Sequence, residues 1–139
     1  MKTIIEPVDV AYLVKNWLRE QMMSEFSELS VALALGAWKT GDHPRMVVFD
    51  DSGPNAMWPV ATDPTIRITT WTTGRERRYA HRAMALLLGK TIPGIAAVLP
   101  GLGISETTDA KNDGNVVSFT VRTRVRTCLL YTSPSPRDS

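Results

Sequence analysis

The residues of this chain that could do chemistry are few, and most lack a partner. There are two histidines, His43 and His81. Neither has a second metal ligand or a triad partner at a telling spacing. Asp50, Asp51 and Asp63 are enough acid to suggest a metal cluster. Asp50-Asp51-Ser52-Gly53-Pro54 is also strong turn chemistry, and no Glu or His completes a site. Gly101 and Gly103 lack the third glycine and the strand-to-helix context of a dinucleotide loop. Ser52, Ser105 and Ser118 sit in no nucleophile-elbow pattern. The expectation is a protein that is not an enzyme and needs no cofactor or metal.

The basic and aromatic residues carry more. Arg75, Arg78 and Arg82 follow at i, i+3 and i+7, with Arg77 and His81 beside them. Cations in the first turns of a helix oppose its dipole, so something other than helix stability could select them. Arg122, Arg124 and Arg126 form a second basic row. Both rows suit an acidic protein surface or a phosphate backbone. They equally suit a solvated helix face and an edge strand that uses charge to block unwanted pairing. The chain holds four tryptophans. Trp17 and Trp71 fall in regular patterns and are expected in the core. Trp38 and Trp58 fall near turn signals, where each could be an exposed interface anchor or fold down over a small core.

The elements that must position these residues follow from periodicity. Val10, Leu13, Val14, Trp17 and Leu18 recur at i, i+3, i+4, i+7 and i+8, which predicts a helix from Pro7 to Met22. Val31, Leu33 and Leu35 alternate with small residues and predict a strand that Gly36 ends. Ala37 to Pro44 reads as loop. Arg45 to Phe49 and Asn55 to Val60 read as further strands, giving a meander or hairpin pair. Thr65 to Thr72 is β-branched or aromatic except at Arg67, and is the clearest strand. Thr73 and Glu76 have capping-box spacing, which predicts a second helix over Gly74 to Leu88. Its buried face is Ala80, Ala83, Met84, Leu87 and Leu88, and Gly89 is its stop. Gly94 to Leu99 reads as a short strand and Pro100 to Asn115 as a loop. From Val116 to Arg126 the alternation is strict. Val117, Phe119, Val121, Thr123 and Val125 face the core, while the arginines and Ser118 and Thr120 face water. The order α-β-β-β-α-β-β does not alternate one for one. The expected class is α+β, with two helices on one face of a mainly antiparallel sheet.

The formal net charge of +2 gives no strong electrostatic case for nucleic acid or membrane. No apolar run approaches the ~20 residues of a membrane helix. The opening Met-Lys-Thr-Ile-Ile-Glu-Pro does not read as a signal peptide.

Two resemblances extend this reading. Cys128 to Ser139 resembles a translated sequencing adapter of the kind used in transposase-based library preparation. That implies a native α+β domain over residues 1–127, a different native ending and no native cysteine in this segment. Residues 1–127 resemble tail terminator proteins of long-tailed (siphovirus-type) bacteriophages, especially those of actinobacterial phages. The resemblance is carried by Ile4 to Val10 opening into an amphipathic helix. It is carried further by Pro64 to Trp71 followed by the Ala-rich helix Tyr79 to Leu88, and by the closing strand Ser118 to Arg126. It implies a structural virion protein assembled in the bacterial cytoplasm. Such a protein forms a ring, usually a hexamer, at the head-proximal end of the tail tube. The ring stops tube polymerisation and presents a head-joining surface. The implied partners are further copies, the tail tube protein and a head-completion or neck protein, with genomic DNA passing close by and no membrane involved. The candidate interface or lumen residues are Arg75, Arg78, Arg82, Arg122, Arg124, Arg126, Trp38 and Trp58. On this reading, charge reversal at Arg78 and Arg82 blocks assembly without unfolding the monomer. A head–tail adaptor, a tail completion protein, a small nucleic-acid-binding module and an enzyme with an unseen site remain the alternatives.

Overall fold

A computed structural model of the chain describes residues 4–6, 9–51, 61–126 and 128–131, with the backbone alone described at 4–6, 61–62, 126 and 128–131. The elements run β1 (Ile4–Glu6), α1 (Val10–Met23), β2 (Ser30–Ala32), β3 (Arg45–Asp50), β4 (Ala61–Thr62), β5 (Thr65–Thr72), α2 (Arg78–Gly89), β6 (Ala97–Pro100), β7 (Ser105–Thr108), β8 (Asn115–Arg126) and β9 (Cys128–Tyr131). The class is α+β, as the element pattern implies.

Among the described residues the main sheet has seven strands in the order β2-β3-β5-β8-β4, with β6 and β7 also paired to β8. Every pairing in it is antiparallel except β2 with β3. That parallel pair corrects the expected meander. Residues 33–44 are not a tight turn but supply the crossover that parallel strands need. β1 and β9 form a separate antiparallel pair.

Helix α1 begins later than Pro7. Asp9 is its N-cap, and the carboxylate accepts from the Tyr12 N–H at 3.1 Å. Val10, Ala11, Val14, Leu18 and Met22 are its buried stripe, and Leu13 and Trp17 pack partly buried beside it. Helix α2 also starts later than the capping-box pattern predicts. The capping groups are engaged elsewhere: the Thr73 hydroxyl accepts from the Gly41 N–H at 2.9 Å, and Glu76 pairs with Arg78 at 3.3 Å. Its buried face is Tyr79, Ala80, Ala83, Leu86 and Leu87, so Met84 is only half-buried and Leu88 is exposed. Gly89 closes the helix from inside it, and Lys90 is the C-cap.

Both helices lie on one face of the sheet, over Met46, Val48, Ile66, Ile68, Val117, Phe119, Val121 and Val125. The alternation of β8 holds: Val117, Phe119, Val121, Thr123 and Val125 are all buried. Buried Thr123 donates to the Pro64 carbonyl at 2.9 Å, which satisfies its hydroxyl. The opposite face of β8 is not uniformly wet. Thr120 is buried because Gly101 and Leu102 fold over it, with the Leu102 N–H donating to its hydroxyl at 2.7 Å. A Cβ at Gly101 would stand 2.7 Å from the Thr120 carbonyl oxygen, so this close approach requires glycine.

Candidate functional site

The arginine row around α2 divides into two intramolecular clamps. Arg75 and Arg77 precede the helix, and Arg78 is its first residue. Arg77 donates to Glu106 of β7 at 2.7 Å, and the Arg75 Nε lies 3.8 Å from the same carboxylate. Glu106 is largely covered, and Arg77 holds its carboxyl below the ordinary glutamate range. Burial opposes this, while the Asn115 amide and the Arg75 charge reinforce it. Among the described residues, Glu106 Oε2 and Asn115 Nδ2 are buried with no hydrogen-bond partner within ordinary geometry.

The second clamp joins α2 to the segment after α1. Arg82 meets Glu25 at 2.8 Å, and Arg78 lies 3.7 Å from Glu28. The Arg78 guanidinium stacks 5.0 Å from the Tyr79 ring centre and 5.5 Å from that of Phe26. Those rings meet edge to face at 5.0 Å. The Tyr79 hydroxyl donates to Glu28 at 2.6 Å. This bond is the main reason the Glu28 carboxyl sits below its ordinary range, and burial pushes the Tyr79 phenol up. Phe26, Glu25, Glu28 and Glu106 were invisible as site residues in the sequence, because each lies far along the chain from its arginine.

The second basic row behaves differently. β8 is no edge strand: β5 pairs along one side and β6 and β7 along the other. This rules out edge protection as the purpose of its arginines. Arg124 lies 3.4 Å from Asp63. Arg122 donates to the Pro100 carbonyl at 3.4 Å and has no carboxylate partner among the described residues. Arg126 pairs through its backbone with Ala61, and its side chain lies outside what is described.

Arg122 stands on the sheet face opposite the helices, between Thr65 of β5 and Leu99 of β6. Leu99 is its register partner on β6, and Phe49 is the register partner of Arg67 on the same face. Phe49 is 54% exposed and Leu102 is 66% exposed. Asp51, Arg67, Leu102, Thr120 and Arg122 line a shallow recess of about 380 Å³ there. Asp51 and Arg67 are paired at 2.9 Å. Cation, paired charges and exposed apolar groups thus share one open surface.

No protein-family model matches the chain, and no curated protein matches it in sequence.

The remaining candidates are scaffold or lie elsewhere. Trp38 is only 4% exposed, and its indole N–H donates to the His43 carbonyl at 2.8 Å, so it is not an exposed anchor. It folds down against Gly114. Trp58 and Ser52 lie outside the described residues, as does the strand expected over Asn55 to Val60. Trp71 is half-buried on the outer sheet face rather than in the core, with its indole N–H on Asp109 at 3.0 Å. His43 and His81 are exposed. Asp50 is engaged, and Asp51 and Asp63 are each paired with an arginine. No group of three or more His, Cys, Asp or Glu among the described residues could hold a metal ion, and no described helix is long and apolar enough to cross a membrane.

Proposed function

We propose that this chain is a structural component of a bacteriophage tail neck, and specifically a tail terminator. As a ring, usually a hexamer, it caps the head-proximal end of the tail tube, stops polymerisation and presents a head-joining surface. The observation that carries the reading is the open outer face of the sheet. There Phe49, Leu99 and Leu102 stand in solvent beside Arg67 and Arg122. Exposed apolar groups rimmed by charge mark a contact surface rather than a reaction pocket. The resemblance to tail terminators supplies the kind of assembly.

The test is sedimentation velocity and negative-stain imaging of the purified protein, alone and with polymerising tail tube protein. Closed rings and shortened tubes are expected. A strictly monomeric species that leaves tube growth unchanged would sink the reading. Rings that bind a connector but leave tubes uncapped would move the chain to another neck role, such as a head–tail adaptor or completion protein. Resequencing the source DNA across codon 127 and through its neighbours tests the same reading from the genome, since connector and tail-tube genes are expected alongside.

A further inference from the structure

The outer face of the main sheet carries more cation than the carboxylates beside it neutralise. Arg67 of β5 and Arg122 of β8 are diagonal neighbours there, since Arg67 is the register partner of Thr120 and Arg122 that of Thr65. Long side chains at diagonal positions come within reach of each other, so like charges placed this way repel. Each nitrogen of the Arg67 guanidinium has a partner. Its Nε and Nη2 both meet Asp51 at 2.9 Å, and its Nη1 donates to Ser118 at 3.2 Å. Arg124, on the same face, lies 3.4 Å from Asp63. Arg122 is exposed, donates through Nε to the Pro100 carbonyl at 3.4 Å and has no carboxylate partner among the described residues. A guanidinium held at Nε still presents its two terminal nitrogens, and a pair of parallel N–H groups is what a carboxylate takes as a fork.

Exposed apolar groups stand beside that guanidinium. Leu99 is opposite Arg122 on β6, and Leu102 joins Arg67 and Arg122 in lining the recess. Two features select among occupants. A nucleic acid presents a row of phosphates and is held by several cations at once. Here Asp51 and Asp63 already engage the flanking arginines, which leaves one cation for one anion. A free inorganic anion, for its part, makes no use of the leucines. A polypeptide segment with a carboxylate next to apolar side chains suits both, because its apolar contacts shelter the ion pair from water. Residues 52–60, which follow Asp51 in the chain, contain no acid and so cannot supply the carboxylate.

We propose, on the contact-surface reading above, that the recess at Arg122 receives an acidic peptide segment of another chain, with its carboxylate forked onto the Arg122 guanidinium and its apolar neighbours seated on Leu99 and Leu102. Arg67 is fixed by Asp51 and Ser118 and forms the far wall of the recess. Its charge reinforces the attraction for the incoming carboxylate without being the group that binds it.

The experiment titrates the isotope-labelled full-length chain with two short peptides, acetyl-Leu-Asp-Leu-amide and acetyl-Leu-Asn-Leu-amide, and follows the backbone amide shifts. Shifts centred on Gly101, Leu102, Thr120 and Arg122 are expected at millimolar peptide, with the asparagine peptide weaker by about tenfold. Where the chain assembles, the aspartate peptide should also weaken assembly and the asparagine peptide should not. Arg122→Gln should bring the aspartate peptide down to the level of the asparagine one, while Arg124→Gln, whose cation is already paired, should change little. Circular dichroism checks that both variants are folded. If Arg122→Gln disturbs the fold, Leu102→Ser removes the apolar wall instead, and both peptides should then bind more weakly. Equal binding of the two peptides, or shifts elsewhere on the protein, would overturn the proposal. So would an oligonucleotide that displaces the peptide with a steep salt dependence, which gives the face to nucleic acid. Binding seen only after Asp138→Asn would assign the recess to the chain's own tail, with the same consequence. An assembly that Arg122→Glu abolishes but neither peptide binds or weakens would overturn the carboxylate chemistry and leave the contact surface standing. A strictly monomeric chain that binds the aspartate peptide through Arg122 would sustain the peptide site and overturn the ring.

Discussion

Charge reversal at Arg82 separates a fold clamp from an assembly surface. Arg82 and Glu25 meet at 2.8 Å, with side chains 47% and 44% exposed. A solvent-screened pair of this kind contributes about 0.2–1 kcal/mol. Arg82→Glu removes that attraction and sets two carboxylates against each other. Repulsion between exposed charges adds about 1 kcal/mol at most, and flexible side chains swing apart to reduce it. The expected loss is ~1 kcal/mol, or ~4 °C in Tm for a domain of this size. Glu25→Arg should cost a similar amount. The exchanged double variant should return to within ~0.5 kcal/mol of wild type, giving a clear coupling energy in a double-mutant cycle. Urea unfolding of the four proteins measures the cycle, and sedimentation velocity on the same samples measures assembly. If the clamp is intramolecular, stability moves and assembly does not. Arg122→Glu is the counterpart, because Arg122 has no carboxylate partner among the described residues. Its stability should stay within ~0.5 kcal/mol while assembly is lost. An Arg82→Glu protein of unchanged stability that no longer assembles would refute this reasoning and restore the helix row as the interface.

Other outcomes follow from particular contacts. Phe119 is fully buried at the centre of the core, so Phe119→Ala should cost about 3–5 kcal/mol in urea unfolding. A Cβ at Gly114 would stand 2.6 Å from the Trp38 ring, so Gly114→Ala should displace the indole, red-shift its fluorescence and cost about 1–3 kcal/mol. Tyr79 lowers the Glu28 carboxyl, Arg77 that of Glu106 and Trp71 that of Asp109. Each therefore contributes stability above the ordinary carboxylate values and loses it as pH falls through the folded ones. Acid destabilisation should begin below about pH 4.3. Replacing the three with Gln, Gln and Asn should flatten that slope while leaving the alkaline side unchanged.

Where periodicity was strong and the partner local, the fold was legible. Thr65–Thr72 and the alternation of β8 needed no tertiary information, because β-branched residues and a period of two already fix a half-buried strand. What misled was local pattern that the tertiary structure overrode. Thr73 and Glu76 have the spacing of a capping box, yet Gly41 and Arg78 take their polar groups, and the helix starts at Arg78. Ser105–Thr108 has too little apolar alternation to read as a strand. It becomes one because β8 offers an edge and because Glu106 is fixed by arginines nearly thirty residues earlier.

The same distinction separates the two basic rows. A row of arginines at helical spacing looks like a binding face because the sequence shows only the cations. The carboxylates that engage them, Glu25, Glu28 and Glu106, come from other elements, and pairing leaves little field for an external anion. On β8 the reverse holds. Arg122 was read as an interface or lumen candidate, with guarding an edge as the competing reading, and its strand lies inside the sheet, flanked on both sides. Edge protection therefore does not account for an exposed cation there, and among the described residues Arg122 has no carboxylate partner, its hydrogen bond going to the Pro100 carbonyl. An exposed cation beside exposed Leu99 and Leu102, with no carboxylate partner among the described residues, fits the contact surface proposed for the outer sheet face. That makes the outer sheet face, rather than helix α2, the surface on which assembly should be tested.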